Sequence, residues 1–348
     1  MTEREAPPPT PPHCDGEGSQ GHSDSFRTNP EPDEPTAGPA VEGRVRPKLA
    51  VVLGTYNRLD SLKRCIESVF RETRTPSIVY VTDAGSTDGT VEYLESIASD
   101  RLVPLLVGKR LGQARAYNDV FMSIQTPYAV WISDDNAVVN GGLDVAVEIL
   151  EHSPNIGMVG VKVKDVEGPG MVAPYIGAIS STGILNVNQG MLRTHVLQGV
   201  GGFSERFRDY GIDPDLTAKV LYSGWDVAYT RTVGLHHYRA WNDGSAAGEE
   251  QRARQQGYVK LYHQKWGTYD PPDLRWKARR MAWKAFQKVT GLSLNASGTV
   301  LGMNGRDWCN VLTGRYISLL DPLQTRGRAY HLLQRAPARR RPLPPDPA

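Results

Sequence analysis

Apolar and polar positions along this chain fall into two alternating rhythms. LAVVLGTYN, starting at Leu49, is a short unbroken apolar run stopped by glycine, the pattern of a buried strand. Leu62, Cys65, Ile66, Val69 and Phe70 then recur three and four apart, one face of a helix, with Asp60 or Ser61 placed to cap it. SIVYVTD repeats the strand pattern, and Val91, Leu94 and Ile97 the helical one, behind a cap at Thr87 or Asp88. LVPLLVG, GQARAYNDVFMSI, YAVWIS, GGLDVAVEILEHS and NIGMVGVKV continue the series as strand, helix, strand, helix, strand. Strands alternating with amphipathic helices predict an α/β fold: a mostly parallel sheet with helices on both faces. In such sheets the ligand crevice lies beyond the C-terminal strand ends. That rule gathers Thr55, Asp83, Asp134 and Asp135 at one edge, although they are scattered in sequence.

The two ends break the rhythm. Residues 1–47 are rich in Pro, Gly, Ser and acids and nearly devoid of large apolar residues, so they read as a disordered tail. The division expected is therefore 1–47 tail, 48–250 α/β domain, 251–330 mainly helical extension and 331–348 basic, Pro-rich tail. Charge sharpens this picture. The total is nearly balanced, which gives no reason to expect nucleic acid as a partner, but residues 252–348 hold 18 basic and 5 acidic groups. Within them LRWKARRMAWKAFQKV (274–289) mixes Trp and Met with Arg and Lys. It fits a helix packed on the domain or a basic helix making peripheral contact with a membrane. No stretch reaches the roughly 18 apolar residues of a membrane span, and no basic-then-apolar leader opens the chain. Cys14, Cys65 and Cys309 have no metal-ligand spacing and cannot all pair. A reducing, cytoplasmic setting, peripheral at the inner membrane face, is the expectation.

The candidate chemistry sits at strand ends. WISDDN closes a buried strand with two adjacent carboxylates, and like charges left unpaired there are costly. A divalent cation, Mn2+ or Mg2+, would resolve the conflict and leave room for diphosphate oxygens; solvated loop residues fit the same letters. In TDAGSTDGT, turn chemistry and capping account for Ser86 to Gly89, leaving Asp83 to accept hydrogen bonds from a base or ribose. Asp213 precedes Pro214 before Leu216, Val220 and Leu221. It reads as a helix N-cap, and also as a carboxylate held rigidly enough to act as general base. His236 and His237 close the strand WDVAYTRTVGL; they become metal ligands only if a carboxylate site lies opposite. A dehydrogenase is disfavoured because no GxGxxG follows a strand. A nucleotidyltransferase is disfavoured because GTYNRLDS offers one glycine.

Taken together and in order, these stretches resemble the inverting, metal-dependent family 2 glycosyltransferases of GT-A fold, which include rhamnosyl-, N-acetylglucosaminyl- and spore-coat-type transferases. VVLGTYNR looks like the family's first strand and nucleotide-contacting loop. VTDAGSTDGT is similar to its VVDDGSTDGT, and GQARAYN to its small-residue helix start. WISDDN resembles a variant of its DxD motif, and GGFSERFRDYGIDPDL resembles its GGFDERFFLYGEDVDL. The resemblance spans roughly residues 48–240. It implies a Rossmann-like GT-A sheet, a nucleotide-diphosphate sugar donor, Mn2+ or Mg2+, and an acceptor hydroxyl on a glycan, a lipid-linked intermediate or a small molecule. Thr55, Tyr56, Asn57, Arg58, Asp83, Asn118 and Asp134 would face the donor, Asp135 with His237 or His236 the metal, and Asp213 would deprotonate the acceptor. Ala84, Ser133 and Ile212 replace acids of the family pattern, and they keep open a second reading, an inactive relative that binds a sugar nucleotide or glycan.

Overall fold

The computed structural model describes residues 46–167, 173–238, 246–271, 273–296, 298–338 and 340–347. Apart from its last two residues, the expected N-terminal tail lies outside them. β1 (Leu49–Thr55), α1 (Leu59–Glu72), β2 (Ser77–Asp83), α2 (Thr90–Ser96), β3 (Leu102–Leu106), α3 (Gln113–Phe121) and β4 (Tyr128–Trp131) alternate as the apolar pattern predicts. Next come β5 (Asn136–Val138), α4 (Gly142–His152), β6 (Ile156–Glu167), β7 (Gly190–Arg193), α5 (Thr194–Gly199), α6 (Ile212–Tyr222) and β8 (Asp226–Tyr238). The C-terminal part adds α7 (Ala246–Trp266), α8 (Leu274–Thr290), β9 (Thr299–Val300), β10 (Met303–Asn304), α9 (Gly305–Thr313), α10 (Asp321–Gln324) and β11 (Tyr330–Gln334).

The central sheet runs β11-β8-β6-β7-β4-β1-β2-β3, with β5 paired to β8. β3, β2, β1 and β4 are parallel neighbours, and so are β6 and β8; β7, β5 and β11 run antiparallel to theirs. Successive residues of β1 divide between two cores, as side chains alternating across a sheet must. Leu49, Val51 and Leu53 pack with α1, α2 and α4 on one face, Ala50 and Val52 with α3, α5 and α6 on the other. This is a mixed α/β architecture with helices on both faces.

Three helix starts differ from the capping expected. Arg58 stands at the N-cap of α1, Gly89 at that of α2 and Gly211 at that of α6. Gly89 and Gly211 adopt left-handed backbone, which side-chain caps do not favour, so the chain turns into each helix one or two residues away from the Asp. Asp213 is thereby the second residue of α6 rather than its cap. The basic end also differs from a plain tail: Leu332 and Leu333 are buried in β11, which pairs with β8. Two apolar residues between basic ones suffice to fill that sheet edge.

The approach of α4 to β8 is closest at Gly142 and Gly234. A Cβ on Gly142 would stand 2.4 Å from Gly234 Cα. Gly142→Ala should therefore push α4 off the strand that carries the histidines and cost about 1–3 kcal/mol, measurable as a lower urea midpoint.

Candidate active site

Two loops at the C-terminal ends of β1 and β2 are stitched together. Asp83 accepts from the backbone N–H of Gly85 (2.9 Å) and Ser86 (3.0 Å) and from the Ser86 hydroxyl (2.5 Å). Asn57 donates its N–H to Ser86 Oγ at 2.9 Å and accepts from Thr87 N–H at 2.8 Å. Asp88 accepts from Leu59 N–H at 3.0 Å. Asp83 and Asn57 thus shape the crevice wall, and both oxygens of Asp83 already hold their own loop. Tyr56 lies at the rim with the Arg110 guanidinium 3.8 Å from its ring centroid.

The adjacent carboxylates stand opposite. Thr55 Oγ1 donates to Asp134 Oδ2 at 2.8 Å, as the parallel pairing of β1 and β4 allows. Arg58 Nη1 bridges Asp134 Oδ1 and Asp135 Oδ2, each at 3.1 Å. The like-charge conflict is therefore met from within the chain. Burial pushes the Asp134 carboxyl up to about 6, against the pull of Arg58. Burial raises Asp135 too, but its hydrogen bond and charge contact with His237, helped by Arg58, outweigh this and leave it below the ordinary value. Arg58→Ala should destabilise the fold by about 1–3 kcal/mol at pH 8. The penalty should be smaller at pH 5, where Asp134 takes up a proton; urea unfolding at the two pH values checks it.

Three neighbouring strands complete the cluster. β5 sets Asn136 opposite His237, and β6 sets Asp165 beside it. His237 Nε2 lies 3.3 Å from Asp135 Oδ1, and its Nδ1 lies 2.9 Å from Asp165 Oδ1. Tyr175 Oη donates to the same Asp165 oxygen at 2.9 Å. Asp165 thereby turns the imidazole so that Nε2 faces Asp135, the arrangement in which a carboxylate orients a metal-binding histidine. Asp135 Oδ1 is buried and has no well-aligned hydrogen bond among the described residues, the 3.3 Å contact with His237 Nε2 being a loose one. Two ligands on one cation, each about 2.1 Å away at right angles, stand about 3 Å apart, close to the observed spacing. Asp135 and His237 thus fit two positions of one coordination shell. Among the described residues, no group of three or more His, Cys, Asp or Glu side chains is arranged to hold a metal ion, so further ligands would come from substrate or water.

Two expected participants are not brought to this cluster. His236 is the preceding residue of β8 and points to the other side of the strand; burial and the charge of Lys164 depress its pKa. Asn118 clamps Phe203, donating to its carbonyl at 2.8 Å and accepting from its N–H at 2.9 Å, so both ends of its amide are engaged. Ser133 is held by Gln189 at 3.0 Å, and Ile212 is buried in the core. Asp165 and Tyr175 went unread in sequence. One signal existed for Asp165: it continues the inward alternation of Val161 and Val163, a carboxylate on the buried side of a strand.

Asp213 approaches from α6. Its carboxylate has no hydrogen-bond or ion-pair partner among the described residues, and burial pushes it up to about 8. The fields of Asp134, Asp213 and Asp135 all add to burial in raising the Tyr117 hydroxyl, which places these carboxylates around one side chain. On the same helix Asp215 is fully buried and joined to Lys265 at 2.8 Å and to Trp266 Nε1 at 2.8 Å; Lys265 also meets Asp346 at 2.6 Å. The C-terminal part therefore braces the turn that carries Asp213.

Residues 50–198 match the model of Glycosyl transferase family 2. The chain carries a family 2 glycosyltransferase domain. It is similar to an N-acetylglucosaminyl-diphospho-decaprenol L-rhamnosyltransferase of Mycobacterium tuberculosis, at 24% identity over 276 residues, 66% of this chain and 89% of that protein. Among solved structures, a mannosyltransferase from Pyrobaculum calidifontis in complex with GDP-Man and Mn2+ gives a TM-score of 0.48 at 22% identity, covering 64% of each chain. S. aureus TarS residues 1–349 in complex with UDP-GlcNAc gives 0.47 at 15% identity, covering 70% of this chain and 81% of that one. The matched domain and these relatives support a glycosyltransferase activity for the chain.

Proposed function

We propose that this family 2 enzyme transfers a sugar from a nucleoside-diphosphate sugar to an acceptor hydroxyl with inversion, using a divalent metal at Asp135 and His237 and Asp213 as general base. The observation that carries the reading is the buried Asp135 Oδ1 facing His237 Nε2 at 3.3 Å, with no well-aligned hydrogen bond among the described residues and with Asp165 fixing the ring. Thr55 and Arg58 hold Asp134 in place beside the metal position. Tyr56, Asn57 and Asp83 form the wall against which a nucleoside would lie. A bound Mn2+ or Mg2+ supplies charge that stabilises the departing diphosphate. Asp213 takes the proton of the acceptor hydroxyl as its oxygen bonds to the anomeric carbon and the bond from that carbon to the diphosphate breaks.

The acceptor is a glycan, a lipid-linked intermediate or a small molecule; the relative named above for a decaprenol-linked substrate favours the second. No described helix is long and apolar enough to cross a membrane. The test is the thermal midpoint of the purified chain with Mn2+ and UDP, GDP or dTDP, singly and together. A rise that needs Mn2+ and one nucleotide together is expected, since only ligands of the native state raise the midpoint, and it names the base. No rise with any pair would overturn the metal–donor reading.

A further inference from the structure

α8 carries three kinds of surface around its axis. Trp276 and Trp283 are buried against α9, and Trp276 Nε1 donates to Thr313 O at 2.7 Å. On the opposite side Leu274, Ala278, Met281, Ala282, Ala285 and Val289 follow one another at helical spacing and are all exposed, Leu274 by 81%, Met281 by 71% and Val289 by 85%. Between these faces run Arg280, Lys284, Lys277 and Lys288, with Arg275 on the other flank. None of these five cations has a carboxylate partner among the described residues. A solvated helix has no use for an apolar stripe of this length beside unpaired cations.

A cavity of about 550 Å³ opens beside the same helix. Trp276, Arg280, Trp283, Lys284, Arg306 and Cys309 line it, and among the described residues no carboxylate does. Arg306 donates to Asn295 at 3.3 Å, while its Nε is buried without an acceptor. Three cations on an aromatic floor, one with an unused donor, make a receptor for a phosphate group. Around the helix, Arg280 and Lys284 lie between the cavity and the apolar stripe, as the head and tail of an amphiphile would require.

We propose that α8 docks this enzyme on an anionic membrane, with Leu274, Met281 and Val289 entering the headgroup boundary and a lipid phosphate seated in the cavity between Arg280, Lys284 and Arg306. Charge complementarity selects the occupant. An apolar stripe edged by cations, beside a cationic cavity roomy enough for a phosphate headgroup, matches an anionic lipid surface, not a protein face. The assignment stands apart from the donor chemistry at Asp135.

Co-sedimentation of the full chain with phosphatidylcholine vesicles, with and without phosphatidylglycerol, tests it. Binding is expected only to the anionic vesicles and should weaken with salt. Arg280→Ala with Lys284→Ala should weaken partitioning roughly 30-fold, and Met281→Glu should abolish it. These positions are exposed, so an unchanged thermal midpoint verifies the fold. Failure to bind anionic vesicles would overturn the proposal, and so would binding that neither variant alters. A thermal shift with inorganic phosphate in a protein that ignores vesicles would also overturn it, making the cavity a site for a soluble anion.

Discussion

Asp213→Asn should lose turnover by roughly 10²- to 10⁴-fold and yet unfold at a higher temperature than the parent at pH 8. Both effects come from one carboxyl, without a partner among the described residues, whose pKa burial raises from 3.8 to about 8. In the unfolded chain it ionises near its ordinary value; in the fold it stays protonated until the pH approaches 8. Its protonated form imposes no penalty below about pH 4. As pH rises, the unfolded state gains from ionisation and the fold does not, so stability is lost progressively up to about pH 8. The full shift corresponds to about 6 kcal/mol; because the carboxylate is partly accessible, about 1–3 kcal/mol is the expected gain from the amide. Turnover of the parent should climb with pH through the same range, because a base must be ionised to accept a proton. Steady-state rates, calorimetry at pH 5 and pH 8, and nucleotide binding decide it. A variant that keeps its rate, or that loses nucleotide binding together with rate, would remove Asp213 from the role of base.

Asp135→Asn should abolish the Mn2+-dependent part of nucleotide binding, the second large effect. The amide keeps the shape of the side chain but removes the charge that pairs with Arg58 and faces His237. Asp165→Asn should act more weakly, lowering metal affinity about 10- to 100-fold through the orientation of the His237 ring. Titration calorimetry of Mn2+ in the presence of a nucleoside diphosphate separates the two. Equal affinity in the parent and Asp135→Asn would place the metal elsewhere. Equal affinity in Asp165→Asn would leave its bond to His237 structural.

Much of this arrangement is legible in the letters. Apolar runs ending in Thr55, Asp83 and Asp134 locate three strand ends, and the right-handed logic of a parallel sheet brings those ends together. What escapes is set by pairing rather than by composition. β5 and β7 are three and four residues long, too short to carry a period, yet β5 positions the loop of Asp135 against His237. The choice between His236 and His237 depends on which face of β8 each occupies, and that requires the register with β6. Asn118 reads the same in a binding helix and in a packing one; only its two bonds to Phe203 reveal the second. The adjacency of Asp134 and Asp135 points to a cation, and the sequence already holds one in Arg58, four residues after the strand glycine Gly54. What distinguishes the two answers is the side-chain path, which no spacing rule supplies.

The brace on α6 bears on how such an enzyme diversifies. The proposed donor wall is made by loops after β1, β2 and β4, whereas the turn bearing Asp213 rests on Lys265, Trp266 and Asp346 from the C-terminal part. Substitutions in that part can tilt α6, and with it the direction from which a hydroxyl is received, without touching a donor contact. On the proposed reading, acceptor choice can therefore be altered through the segment outside the family match while the proposed nucleotide side is left intact. Grafting the C-terminal part of one such protein onto the sheet of another is the corresponding route for an engineer.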